Sequence, residues 1–529
     1  VLNIGLLAPG AGEYYIGEVA SSAEDYYTGQ GESAGRWVGS LAKEIGLKGE
    51  VDPDDFRAVL AGRDPQTGEQ HVHRPGPRSS GVANVDPERE FDAIQAASVL
   101  DVSARHVRRL LEEGDRYLEQ RGRADGEHDL PAPKGYLSGT RVAVKDQQGP
   151  EEWRVKGSEL QRFAESRTER KFRPGYDLTL RPPKSVSVLW ALGGPDIAGK
   201  VRDAHTAAVD QVVRYYEHQA VRSRSTKTGR RVETDGIIAA AFDHRTSRAG
   251  DPLLHTHVVT ANMTRFRDSD RKVMWRAIES PGLFEHAKAA GCLYQAHLRH
   301  ELTKHLGVRF RPVANGYAEI DGVPDAVIDV FSKRRNEIEE ELAATGRTTA
   351  RSAQVATLET RKAKDYSVDA DTLTARWLAE AASVGFDTAA ARACTGISAV
   401  TTLTDADAER ILGLLAGPHG LCERASTFRR SDVVETISTL VGSSATGAQI
   451  RELAERFVTS TRVVAVSPSG VVRPDQRRSA QQRWTTVDLA NTEKRLLVQA
   501  ERRVVSPDHR IGNDVVADVV ATRPELSDE

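Results

Sequence analysis

Two short apolar segments, residues 236–244 (GIIAAAFDH) and 253–263 (LLHTHVVTANM), flank the polar octet RTSRAGDP. Gly250 and Pro252 break the apolar pattern, so the segments are predicted to pair as a hairpin. Side chains two residues apart leave a strand on the same face, which sends His255 and His257 out side by side. His244, at the end of the partner strand, comes within reach of both. Three neutral imidazoles converging on one point make a divalent-metal site with positions left open for substrate. An isolated H-x-H is commonly a packed pair; the third histidine across the turn gives this one its weight.

At 529 residues the chain has room for three or four domains of roughly 150 residues each. Its 39% hydrophobic and 28% charged content fits a water-soluble globular protein rather than a membrane span or a disordered tail. The start, VLNIGLLAPG, lacks a basic region and a cleavage site, so a cytoplasmic location without membrane insertion is expected. Opening on Val rather than Met, the sequence is expected to be a shortened form of a longer chain or to use an alternative start codon. Cys292, Cys394 and Cys422 are too scattered for a zinc ribbon or a disulfide framework. A net charge of −3 leaves nucleic-acid contact to local basic patches.

Of the 12 tyrosines, four fall between residues 14 and 27, as the pairs Tyr14-Tyr15 and Tyr26-Tyr27. Their spacing keeps them on one helical face, which suits packing. A phenol is also a nucleophile for phosphodiester transfer when a base and a metal are near. Residues 70–90 read as a polar linker carrying a second H-x-H, His71 and His73, with no strand or third ligand.

Residues 91–168 change character. FDAIQAASVLDVSARHVRRLLEEG is predicted as helix, turn at 101–103, and a second helix capped by Ser103. Arg105, Arg108 and Arg109 face outward there, with Val107, Leu110 and Leu111 inward, a helix-turn-helix pattern with a basic recognition helix. A strand around 153–155 and a helix capped by Ser158 follow. The layout resembles the winged-helix excisionase and MerR-like DNA-binding domains, with a longer wing over 115–152.

In FRPGYDLTLRPPKSVSVLWAL, residues 176–180 alternate as a strand, and Pro182-Pro183 precede a helix starting at Lys184. Asp177, a carboxylate in that strand, is costly without a partner and suits a general base or a support for a metal-bound histidine. The run from Gly194 to Val201 starts like a phosphate loop but ends in Val, and reads as a helix-to-helix turn, not a nucleotide site. RSRSTKTGRR places Arg222, Arg224, Lys227, Arg230 and Arg231 around a turn, a solvated hairpin or a basic finger on a phosphate backbone. Residues 291–306 read as an amphipathic helix and 331–365 as a charged helical stretch. A less constrained stretch over 388–401 precedes a mainly helical C-terminal part with a cap at Ser426 or Thr427 and a strand at 463–467.

Together YY-x10-YY, GYDLTLRPPKSVS, FDHRTSR and LHTHVVTANMTR resemble, in content and order, the MobF-class relaxases of conjugative plasmids, HUH endonucleases fused to a helicase. The resemblance covers residues 1–70 and about 170–390. It implies an α+β fold in which a central antiparallel sheet is flanked by helices. The expected organisation is a relaxase domain in two parts (1–75 and 170–390), an inserted winged-helix-like domain (76–169), and a helicase-like N-terminal portion without a phosphate loop (391–529). It implies Tyr14 as the first nucleophile with Tyr15 beside it, and Tyr26 with Tyr27 for a second strand transfer. It further implies Asp177 as the activating carboxylate and His244, His255 and His257 as ligands. Thr256 departs from the hydrophobe usual between the last two. The implied activity is site- and strand-specific nicking of DNA through a 5′-phosphotyrosine, followed by rejoining. The implied cofactor is a divalent ion, Mg2+ or Mn2+ in use, with Zn2+, Co2+ or Ni2+ compatible, and no ATP site. Implied partners are single-stranded DNA at a transfer origin with its adjacent duplex, other relaxosome proteins and a coupling protein. Candidate DNA contacts are Arg105, Arg108, Arg109, Lys184, Arg222, Arg224, Lys227, Arg230, Arg231 and Arg248. Two other functions share parts of the pattern. A rolling-circle replication initiator usually has its tyrosines after the histidines, and a DNA-binding regulator would form no covalent adduct.

Overall fold

Alternation, rather than continuous apolarity, builds the central sheet. Five strands, β1 (Leu2–Leu6), β2 (Arg36–Val38), β3 (Gly175–Leu180), β4 (Ala239–Thr246) and β5 (Pro252–Ala261), pair antiparallel in the order β1-β3-β5-β4-β2. One face carries Tyr176, Leu178, Leu180, Ala239, Ala241 and Val258, all buried. These pack in one core with α1 (Lys184–Leu192), α2 (Pro195–Tyr215) and α3 (Ala287–Leu306). Each large apolar side chain so buried contributes roughly 1.5–3 kcal/mol, which fixes the register and leaves the other face to Asp177, Thr179, His244, His255 and His257. Gly175 begins β3 where a Cβ would lie 2.2 Å from the Thr260 carbonyl, so no other residue fits that approach.

The computed structural model describes residues 2–18, 35–72, 85–100, 104–122, 137–142, 152–166, 172–225, 229–345, 370–466 and 482–505, with short helical fragments at 514–515 and 518. Tyr26, Tyr27, His73, the Ser103 cap and Lys227 lie outside the described residues, as does most of the expected wing. The described chain divides into two compact units, residues 1–69 with 175–529, and residues 70–174.

Three expectations change in the first unit. The helix over 291–306 is not amphipathic: α3 begins earlier and is buried on nearly every side, including Gln295, His297, Arg299 and His300. Its polar face is covered by the helices Arg430–Leu440 and Gly447–Val458, and Arg299 donates to the carbonyls of Gly316, Ser438 and Gly442 at 3.0–3.1 Å. Buried residues from Ala408 to Trp484 share the sheet's core. The expected cap at Ser426 or Thr427 falls later: Arg429 is the N-cap, its amide donating to Asp432 at 2.7 Å. The loose stretch over 388–401 contains a short helix, Thr388–Ala393, capped by Asp387. No helix among the described residues is long and apolar enough to cross a membrane.

The second unit has its own core, with Phe91, Ala96, Leu100, Val107, Leu111, Val155, Leu160 and Phe163 buried together. Helices Ala93–Leu100 and Ala104–Gly122 precede the strands Thr140–Val142 and Glu152–Lys156, which pair antiparallel, and the helix Gly157–Ser166. Val107, Leu110 and Leu111 point inward while Arg105, Arg108 and Arg109 are exposed.

Candidate active site

The histidine hairpin forms at the predicted place. His244 of β4 stands opposite His255 of β5, beside a register shift between Pro252 and His255. His257 pairs along the other edge of β5 with Thr179 of β3. The three rings have centroids 4.8–5.2 Å apart, and one nitrogen from each lies within 4.8 Å of the others.

Two of the rings have their orientation fixed from behind. His255 Nδ1 lies 2.8 Å from the Leu253 carbonyl, which can only accept, so the proton sits on Nδ1 and Nε2 carries the free lone pair. His257 Nδ1 donates to both oxygens of Asp177 at 2.8 and 2.9 Å, with the same consequence. Burial, then the neighbouring imidazoles of His244 and His257 and the Arg181 cation, holds the proton affinity of His255 well below the usual histidine value; its hydrogen bond to Leu253 opposes them only in part. A neutral ring is what metal ligation needs. Three imidazole nitrogens at this spacing would fit a divalent cation, and all three histidines line the cavity.

The residues after β1 turn into a short π-helical segment, Tyr14–Glu18, a backbone form that recurs at functional sites. It brings both tyrosines of the first pair to the histidines in different settings. Tyr15 is buried, packs 5.5 Å from the Phe242 ring, and donates its hydroxyl to Asp177 Oδ2 at 3.0 Å. Tyr14 is half-buried, 5.2 Å from Tyr15 and 6.5 Å from His244 between ring centroids. Tyr14, Tyr15, Asp177 and the triad line one cavity of about 1170 Å³. That exceeds the roughly 300–1,000 Å³ of small-molecule sites and suits a length of polymer.

The candidate DNA contacts of this unit separate into groups. Lys184 lines the cavity, but its amine donates to the Pro252 carbonyl at 3.1 Å, and burial, opposed by Asp251 and Glu319, pushes its pKa down to about 8. Arg248 lines the same cavity. The basic finger exists as the paired strands Ser223–Arg224 and Arg231–Val232. Arg224 and Arg231 both hold the Glu279 carboxylate, and Arg222 donates to the Val221 and His218 carbonyls, so three of its cations have local partners; Arg230 is exposed. Thr179 and Arg181, inside the GYDLTLRPPKSVS motif but not singled out from it as site residues, both line the cavity. The alternation 177–179–181 along β3 and just beyond it is the pattern that marks them.

The TrwC relaxase family model matches residues 8–384. The multifunctional conjugation protein TraI of Escherichia coli is 36% identical over 242 residues, 45% of this chain. TraI of E. coli strain K12 is 33% identical over 295 residues, 53% of this chain. The chain spans 13% and 16% of the lengths of these two relatives. Among solved structures, the conjugative relaxase TrwC in complex with oriT DNA is 26% identical, with a TM-score of 0.48, covering 73% of this chain and 100% of the other. A metal-bound structure of such a complex has the same identity and coverage and a TM-score of 0.47. The family match takes in the first tyrosine pair, the Asp177 strand and the histidine hairpin, and the chain belongs to the TrwC relaxase family.

Proposed function

We propose that the chain is a site- and strand-specific DNA relaxase of conjugative transfer, in which Tyr14 attacks the nick-site phosphate. The observation that carries this reading is the meeting of a tyrosine pair, a carboxylate and three oriented imidazoles in one cavity. Tyr14 is the first nucleophile because its phenol is half-buried at the cavity wall, whereas the Tyr15 hydroxyl is committed to Asp177. His244, His255 and His257 hold a divalent cation, for which Mn2+ suits both imidazole ligands and phosphate oxygens. When bound, the ion withdraws charge from the non-bridging oxygens. Asp177 holds His257 in its ligating tautomer and accepts the phenol proton. The Tyr14 oxygen forms a bond to phosphorus while the bond to the 3′ oxygen breaks. The 3′ oxygen takes up a proton from water and leaves as a hydroxyl, and the 5′ phosphate stays on the tyrosine. Attack by that hydroxyl reverses the step and rejoins the strand. Tyr26 and Tyr27 serve a second transfer.

The second unit, through Arg105, Arg108 and Arg109, holds adjacent duplex DNA, since these guanidiniums lie exposed along one helix. The protein works in the cytoplasm with other relaxosome proteins and a coupling protein.

The test is incubation with Mn2+ and single-stranded oligonucleotides tiling the intergenic DNA beside the chain's own gene. A covalent protein–DNA adduct on a denaturing gel is expected, absent in Tyr14→Phe. His255→Ala should lose the adduct and most Mn2+ affinity together, because two imidazoles hold a divalent ion weakly. No adduct on any oligonucleotide, or a wild-type yield in Tyr14→Phe, overturns the assignment.

A further inference from the structure

Arg181 follows β3 directly and lines the cavity with His255, His257 and Tyr14. Leu180 pairs with Thr256, so one step further along the two strands brings residue 181 alongside His255. The alternation that places Asp177 and Thr179 on the metal face places residue 181 there too. Its backbone is held: the Arg181 carbonyl accepts from Gln295 Nε2 of α3 at 3.0 Å, and Pro182 and Pro183 stiffen the chain that follows. The side chain is half-buried; burial lowers its proton affinity, with the Tyr317 phenol opposing.

The remaining groups around the triad leave a role for a fixed cation. The three imidazoles are ligands, not charges, and Asp177 is an anion that repels a phosphodiester. Lys184, Arg248, Arg334 and Arg335 line the same cavity, but the strand register sets residue 181 beside His255. A guanidinium presents parallel N–H groups that match two phosphate oxygens, which an ammonium does not.

We propose that Arg181 is a catalytic residue of this chain, donating to the non-bridging oxygens of the scissile phosphate from the side of β3. It orients the phosphorus toward the tyrosine and offsets charge as the phosphate becomes five-coordinate. The proposal deepens the relaxase reading and rests on it.

The experiment uses the full chain in a Tyr14→Phe background, so that bound strands stay intact. A single methylphosphonate, which removes one phosphate charge, is walked through the bound oligonucleotide, and affinity is measured at each position. With Arg181 present, one position is expected to lose about 10- to 100-fold, the range for a charge-assisted hydrogen bond. In Arg181→Gln that position should become flat, while losses at other positions persist. Arg181→Lys should retain part of the effect. Mn2+ affinity should stay within twofold in both variants, which separates a phosphate contact from a damaged metal site. With Tyr14 restored, Arg181→Gln should slow adduct formation by roughly 10²–10³-fold. An unchanged methylphosphonate profile in Arg181→Gln overturns the proposal, as does wild-type cleavage. Absence of any adduct in the wild type overturns the relaxase reading instead, and the phosphate contact is then judged by the binding profile alone.

Discussion

Asp177 is the residue on which most of the site's geometry depends. Its two oxygens accept from His257 Nδ1, from the Tyr15 hydroxyl and, at 3.3 Å, from Thr179. One carboxylate thereby sets the tautomer of His257 and holds Tyr15 in place. Asp177→Asn keeps the shape but replaces a pure acceptor with an amide that also donates. Mn2+ affinity is expected to fall about 10- to 100-fold, as for other partners of metal-bound histidines, and isothermal titration at neutral pH checks it. Tyr15→Phe removes one hydrogen bond and leaves the ring packing on Phe242. Adduct formation is expected to slow only several-fold, on the order of 1 kcal/mol, while metal affinity holds. A loss as deep as that of Tyr14→Phe would reverse the assignment of the two tyrosines. The histidines were legible because their signal is local, two strands and a turn. The bond from Tyr15 to Asp177 was not, since nothing in either segment announces a partner so far along the chain.

At the scale of elements, the same contrast separates β4–β5 from β1 and α3. The hairpin follows from alternation and turn residues. β1 is five residues of ordinary composition whose strand character depends on β3. α3 looked amphipathic because Gln, His and Arg imply solvent, but the chain beyond residue 400 covers that face and meets His297, Arg299 and His300 with backbone groups. The covering has a pH signature. His297 Nδ1 accepts from the Gly447 amide, which keeps that ring neutral, and His286 Nδ1 lies 2.7 Å from the Tyr215 hydroxyl. Burial pushes the pKa of His286 down to about 4 and lowers that of His297 as well. Unfolded histidines take up protons near 6.5, so between those values the unfolded chain binds more protons than the native one. Stability from these sites is therefore full above about pH 6.5 and is lost as pH falls toward the folded value. The melting temperature is expected to drop steadily from about pH 7 to 5, less steeply in His286→Gln. A flat profile in calorimetry contradicts this account.

At the scale of the whole molecule, two independently cored units share one chain, and residues 70–174 interrupt the sequence between β1 and β3. Because each unit has a core of its own, replacing the insert with a flexible linker should leave oligonucleotide cleavage within a few-fold of the parent. Binding to origin duplex should weaken and lose salt dependence, since phosphate contacts disappear. Lost cleavage in a folded deletion would place the insert in the reaction itself. The interruption also orders events during synthesis. The tyrosines leave the ribosome first, but Leu6 pairs with Tyr176, so β1 waits for more than a hundred residues to be added, on the order of ten seconds at usual elongation rates. A nascent chain stopped before β3 carries phenols with neither carboxylate nor imidazoles around them. The group that would cut DNA is made first and armed last.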